Sequence, residues 1–276
     1  FVISGDGGDE LFAGYPWLHR EVRWRQLPPA LLKTLRFLSP LLQGGQNSVR
    51  AGFLGRALRT MGDLASDATT SFLRRRSLCP PGLLAPLLHP RLESSPNPLR
   101  PSPLAEFARS FGGRELELLL DLDRRFYLAG DILEKVDRAT MLHSLEARVP
   151  FLDHRLVALA ARVPVATHLG PQGTGKAVLG KALETLLPRE LLRRPKRGFG
   201  IPVDRWLRGP LSVELRERLL DRSFLTAELV EESTVQRILE QHQSGYANHG
   251  HLLWGLLSLA VWNEGLRNPP VAALAS

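Results

Sequence analysis

A chain of 276 residues, 43% of them apolar, can bury a core as one large domain or two small ones, and it holds no apolar run long enough to span a bilayer. Its single cysteine, Cys79, excludes a disulfide framework and a cysteine-ligated zinc site, which suits the reducing cytoplasm. The net charge of +8 invites a nucleic-acid reading, but arginines such as Arg20, Arg23 and Arg25 are scattered along amphipathic segments, and the tight run Arg74-Arg75-Arg76 has no interleaved aromatics. A solvated surface accounts for most of the excess, with some left to serve a polyanionic small molecule.

The chain begins with a short β-favouring run, Phe1-Val2-Ile3, ending at Ser4. A turn follows, Gly5-Asp6-Gly7-Gly8, and Asp9-Glu10 open a helix to about residue 26, with a break near Tyr15 imposed by Pro16. Three glycines in four positions allow positive φ and close approach to a ligand. The free N–H groups of such a turn, set against a helix N-terminus, suit an anion. The carboxylates of Asp6, Asp9 and Glu10 would repel a bare phosphate, so a divalent cation is expected to mediate. Taken alone, the stretch also reads as a plain strand–turn–helix corner with Asp9 as N-cap.

Short helices are expected over 30–38, 49–61 and 65–76. Eight prolines between 80 and 103 then mark an irregular surface insertion. Residues 115–128 carry a helical apolar period. Asp131 reads as an N-cap with Glu134 completing a capping box, and Asp131, Glu134, Lys135 and Arg138 share one helical face. A further short helix covers 153–162. The run from Gly170 to Lys176 imitates half a phosphate-binding loop, but Ala177 stands where a magnesium-binding hydroxyl is required. The better reading starts a helix at Gly175-Lys176, running to Leu187 and leaving Lys176 free to reach a phosphate. Lys196 is presented on a loop between Pro195 and Gly198, and helices are expected over 211–220, 231–244 and 251–266, the last facing the core.

Three strings carry a resemblance to a known family. Ser4-Gly5-Asp6-Gly7, Asp9-Glu10-Leu11-Phe12 and Gly14-Tyr15 together resemble the second signature of the synthetase domain of glutamine-dependent asparagine synthetases and their relatives. The string from Asp131 to Asp153 is similar to a second family pattern, with Lys135, Asp137, Arg138, Met141, Glu146, Arg148 and Pro150 in place. Arg194-Pro195-Lys196 with Gly198-Phe199 and Pro202 resembles a third.

The resemblance implies an α/β, adenine-nucleotide α-hydrolase-like (ATP pyrophosphatase) synthetase domain. This stretch of it would be mostly helical, with a residual strand at its start. All of 1–276 would be the carboxyl-terminal portion of one such domain, with 80–103 as an insertion. It implies ATP and Mg2+, with aspartate converted to asparagine through β-aspartyl-AMP by ammonia derived from glutamine. Asp6 and Asp131 are the implied proton-handling pair, and Lys196 the lysine at the reacting phosphate. Ser4, Gly5 and Lys176 are implied phosphate contacts, Asp9 the metal ligand, and Glu10, Lys135 and Arg148 weaker substrate contacts. Glu146 and Arg148 are expected to hold their loop by an ion pair.

Asp6 is one methylene shorter than the glutamate usual at that position, which keeps open an amidotransferase or a lactam- or peptide-cyclising relative. The pyrophosphatase loop Ser-Gly-Gly-x-Asp-Ser and a glutamine-hydrolysing amino-terminal cysteine are not in the sequence; Gly44-Gly45-Gln46-Asn47-Ser48 is an imperfect imitation. The chain is therefore expected to be a fragment, inactive alone, whose partners include the amino-terminal glutaminase domain and a second copy in a homodimer, with neither nucleic acid nor membrane. A non-catalytic basic helical module is the contrasting reading.

Overall fold

A computed structural model describes residues 1–25, 27–28, 30–31, 33–34, 67–79, 81–89, 107–112, 114–170, 175–192, 200–225 and 229–268. The helix expected over 49–61 lies outside these residues, as does Lys196. The chain gathers into two compact units, one drawn from 1–34, 66–73 and 101–197, the other from 35–65, 74–100 and 198–276.

Among the described residues, the regular structure of the first unit is helical apart from one minimal sheet. Strand β1 (Val2–Ile3) runs parallel to β2 (Ala147–Arg148), with Val2 opposite Ala147 and Ile3 opposite Arg148. A four-residue helix, Gly8–Leu11, leaves the glycine turn, and after a break at residues 12–15 a second runs over Pro16–Arg25. Proline sits at the first position of the second helix, where its missing N–H costs nothing. Leu118, Leu119, Leu120 and Leu122 of Glu115–Leu122 are buried with Ala13, Leu18, Ala68, Phe72, Val165 and Leu169. Leu11, Phe12 and Ala160 form a smaller core backed by Phe151, Leu152 and Leu179.

The structure corrects the reading of Asp131. Helix Glu115–Leu122 continues without interruption as a π-wound stretch, Asp123–Leu133, and then as the α-helix Glu134–Met141. Asp131 lies inside this rod, so it caps nothing and no capping box forms. Its face is nevertheless as the spacing predicted: Lys135 pairs with Asp131 at 3.8 Å and Arg138 with Glu134. The rod ends where Ser144 takes a left-handed turn (φ 55°) that feeds β2.

In the second unit, helices Val203–Arg208, Ser212–Leu219, Glu232–Gln243 and Gly250–Arg267 bury Leu207, Leu215, Leu219, Ile238, Leu239 and Leu253. The last helix faces the core as expected, burying Leu252, Leu253, Leu256 and Ala260, while Trp262 on it is exposed. Inside the proline-rich stretch, Pro81–Leu87 form a short helix rather than irregular chain. Leu87 enters the core, and Leu88 bridges Val230 antiparallel.

This unit also encloses a polar cluster. Asn248 accepts from the Gly250 N–H at 3.0 Å and donates to Asp204, while Arg208 Nε donates to the His242 carbonyl at 2.8 Å. The His249 N–H donates to His242 Nδ1 at 3.2 Å. Burial, and then the Arg208 guanidinium, push His242 down to about 4. A histidine depressed when folded keeps its stabilising contribution above its unfolded pKa near 6.5 and loses it as pH falls toward the folded value. Denaturant melts should therefore be flat above pH ~6.5 and lose on the order of 2 kcal/mol by pH ~4. His249 and His168, also lowered by burial, add to the same slope, and His242→Gln should shrink it.

Candidate active site

The first and second motifs meet through the parallel pair. The Val2 N–H donates to the Glu146 carbonyl at 2.8 Å and the Ser4 N–H to the Arg148 carbonyl at 2.9 Å, so the glycine turn starts where β1 is tied down. Arg148 forks onto Glu146 with two contacts of 3.2 Å and lies over the Phe1 ring at 4.7 Å. Glu146 is drawn below the usual carboxylate range by that guanidinium. The ion pair foreseen for Glu146 and Arg148 is present, which leaves the Arg148 head engaged at the sheet margin.

The turn closes with Gly7 at φ 83° and a Gly8 N–H to Gly5 carbonyl contact of 3.4 Å. A Cβ at Gly7 would meet Leu152 at 2.5 Å, so glycine is required there by both conformation and space. The Ser4 hydroxyl donates to the Asp6 carboxylate. Helix Gly8–Leu11 begins from Gly7, so Asp9 stands in its first turn instead of capping it. With only four residues, that helix adds little dipole of its own to the turn.

Glu10 and Asp9 have opposite surroundings. Glu10 is buried and accepts from the Tyr15 hydroxyl, and burial together with this carboxylate raises the Tyr15 phenol far above its ordinary range. Tyr15 in turn packs edge-on against Tyr127 of the π-wound stretch, with ring centroids 6.3 Å apart. Asp9 is partly exposed, although its Oδ1 is buried, and Lys176 Nζ lies 3.1 Å from that oxygen.

Lys176 reaches Asp9 because the backbone around it is clasped to the first motif. Its N–H donates to the Phe12 carbonyl at 2.8 Å, and it sits in the left-handed region at φ 52°. A Cβ on neighbouring Gly175 would come within 2.3 Å of the Ala13 carbonyl oxygen, and one on Gly14 within 2.0 Å of Asp9 Oδ1 and 2.4 Å of Lys176 Cε. His19 Nε2 meets the Ala13 carbonyl at 2.8 Å from the other side. The helix that follows covers Ala177–Leu183, shorter than expected. Lys176 is thus held against a carboxylate, not free. Sequence reasoning placed Gly14 in the first string without a role and missed Gly175 and His19 as parts of the site, although a Gly-x-Gly-Lys string in a rejected phosphate loop signals a close backbone approach.

Ser4, Gly5, Asp6, Asp9, Glu10 and Lys176 therefore share one neighbourhood. Asp131 and Lys135 pair on an exposed face of the rod, whose π-wound part packs against Gly8–Leu11. Among the described residues no hydrogen bond or ion pair joins Asp131 to Asp6. Asp6 and Asp9 offer hard carboxylate oxygens, and the Asp9 side chain keeps 23% of its surface exposed. That donor set fits magnesium, which takes one or two carboxylates and completes its shell with water and phosphate.

Residues 1–264 match the family model described as asparagine synthase. The chain is 32% identical over 268 residues to a putative glutamine-hydrolysing asparagine synthetase of Mycobacterium tuberculosis (strain ATCC 25618 / H37Rv), covering 95% of this chain and 39% of that protein. It is 27% identical over 268 residues to glutamine-hydrolysing asparagine synthetase 1 of Bacillus subtilis (strain 168), covering 95% of this chain and 40% of that protein. A 78-residue stretch is 41% identical to the Homo sapiens glutamine-hydrolysing asparagine synthetase, 28% of this chain and 14% of that protein. The chain spans about two fifths of the length of the two bacterial relatives. No solved structure matches.

The clasp makes a stability prediction. Gly175→Ala should cost roughly 1–3 kcal/mol in urea denaturation, because its φ of 73° is left-handed and the new methyl would meet the Ala13 carbonyl oxygen. Gly5→Ala, where nothing lies within 4 Å, should stay within about 0.5 kcal/mol of the parent.

Proposed function

This chain belongs to the asparagine synthase family, and we propose that it is the part of an ATP-dependent amide-forming ligase that handles the acyl-adenylate. In this reading the two units are pieces of one α/β synthetase domain of the adenine-nucleotide α-hydrolase-like kind. The β-carboxylate of aspartate attacks the α-phosphorus of ATP, the bond to the β-phosphate breaks, and pyrophosphate leaves. Ammonia then attacks the acyl carbon of β-aspartyl-AMP, the bond to the AMP oxygen breaks, and the nitrogen sheds a proton.

The observation that carries this proposal is the parallel pairing of β1 with β2. It ties the carboxylate-bearing glycine turn to the Glu146–Arg148 segment, while the Lys176 N–H bond to the Phe12 carbonyl sets that lysine beside Asp9. Ser4 holds Asp6 by its hydroxyl, which orients that carboxylate to accept the proton. Asp131 is assigned as its companion in the bound state. Ser4, Gly5 and Lys176 contact phosphate, and Lys196 neutralises charge at the α-phosphate and the acyl carbon. Asp9 is assigned to magnesium, which when bound offsets the triphosphate charge. Glu10 supports the turn from inside, while Lys135 and Arg148 are weaker contacts to the amino-acid substrate.

Ammonia from glutamine, an amino-terminal glutaminase domain, a homodimer and a cytoplasmic setting complete the proposal. A second reading, a related amidotransferase or a lactam- or peptide-cyclising enzyme, is favoured by Asp6, which is shorter than the glutamate usual in asparagine-forming members.

The test is aspartate-dependent release of pyrophosphate and formation of asparagine. The 276-residue chain alone should release none. Carried in a polypeptide of the relatives' full length it should do both, and Asp6→Asn should lower amide formation by about 10²–10⁴-fold. Turnover by the isolated chain would defeat the proposed inactivity of these residues alone. Activity only with another carboxylate acceptor would establish the second reading.

A further inference from the structure

Two non-glycine residues of the clasp, Ala13 and Lys176, take the left-handed conformation, at φ 53° and 52°. That conformation is costly away from glycine because the Cβ crowds a carbonyl oxygen. It persists where neighbouring groups leave the chain no alternative. At Lys176 the constraint is backbone: its N–H donates to the Phe12 carbonyl at 2.8 Å, and the Gly175 N–H to the Leu169 carbonyl at 3.1 Å. At Ala13, which is fully buried, a side chain takes part. His19 reaches back from the helix Pro16–Arg25, and its Nε2 lies 2.8 Å from the Ala13 carbonyl oxygen. A carbonyl oxygen only accepts, so Nε2 carries the proton and donates.

This hydrogen bond is the seat on which the lysine segment rests. A Cβ on Gly175 would stand 2.3 Å from the Ala13 oxygen, 2.4 Å from His19 Nε2 and 2.7 Å from His19 Cε1. The Gly175 backbone is therefore packed against both partners of the bond, and the next residue is Lys176.

We propose that His19 is a positioning residue for Lys176. By holding the Ala13 carbonyl where Gly175 packs on it, His19 fixes the root from which the lysine side chain extends to a nucleotide phosphate. This rests on the assignment of Lys176 to phosphate given above. The consequence is selective. A phosphate contact made alike before and during the reaction contributes to nucleotide affinity, so losing its support weakens ATP binding and leaves the handling of aspartate nearly as it was.

The test uses the chain carried in a polypeptide of the relatives' full length, with a non-hydrolysable ATP analogue and magnesium titrated by calorimetry. His19→Leu and His19→Asn carry no donor that reaches the Ala13 carbonyl. Each, checked for folding by circular dichroism, should raise the Kd of the analogue about tenfold and keep the KM for aspartate within about twofold of the parent. His19→Gln, which brings an amide N–H to about the reach of Nε2, should recover most of the affinity. A glutamine variant that folds and binds no better than the leucine or asparagine variant would remove the hydrogen bond as the cause.

Lys176→Met separates this inference from the reading beneath it. It should weaken the analogue by a similar factor, and adding His19→Leu or His19→Asn to it should do little more, because both changes act through one contact. Two effects that multiply in full would place the action of His19 elsewhere and overturn the proposal. So would His19 variants that bind like the parent while Lys176→Met binds weakly. Unchanged affinity in Lys176→Met would remove the phosphate assignment of that lysine, and the role of His19 with it.

Discussion

Gly175 lets its segment approach the Ala13 backbone more closely than any side chain permits, Gly14 leaves room for the Asp9 and Lys176 side chains, and the candidate site depends on both. The space a methyl group would fill at Gly14 holds Asp9 Oδ1 and Lys176 Cε, and the space beside Gly175 holds the Ala13 carbonyl and the His19 ring. Backbone contact makes the placement of the Lys176 ammonium independent of a long side chain's search for a partner, since the Phe12 carbonyl fixes the lysine N–H first.

Much of this neighbourhood was legible in residues 1–15. Glycine spacing announced a tight turn, and the turn needs positive φ at Gly7. Pro16 announced the break between two helices, and the break falls there. What misled was chemistry that reads alike in two contexts. Asp131 and Glu134 have capping-box spacing, but the same spacing occurs on any helical face. The π winding of Asp123–Leu133 carries the rod through Gly130, a residue that by propensity argues for a stop. For Lys176 the sequence shows the cation but not its neighbour: the Asp9 carboxylate lies 167 positions earlier, where no local pattern points to it.

The second unit was legible as helices and less so as an interior. The apolar spacing of 232–243 and 250–267 gives the buried stripes that hold Ile238, Leu239 and Leu253. Spacing alone does not reveal that Asp204, Arg208, His242 and Asn248 converge beside the start of the long helix. Gly250 has no side chain because Asp204 Oδ1 takes its place, 1.8 Å from where a Cβ would stand. Both units thus use the same device: a carboxylate packed into the space left by a glycine near a helix start.

The parallel register of β1 and β2 sets a schedule for folding. Val2 and Ala147 are 145 positions apart, so the pair closes a very long loop, and such contacts form late. On a ribosome adding about 5–20 residues per second, Val2 waits roughly 7–30 s before Ala147 exists to receive it. Phe1 and Ile3 stay largely exposed even in the finished fold, and among the described residues the strand that pairs with Val2 and Ile3 is β2. The segment bearing the candidate site is thus the earliest of these residues to be made and among the last to be assembled.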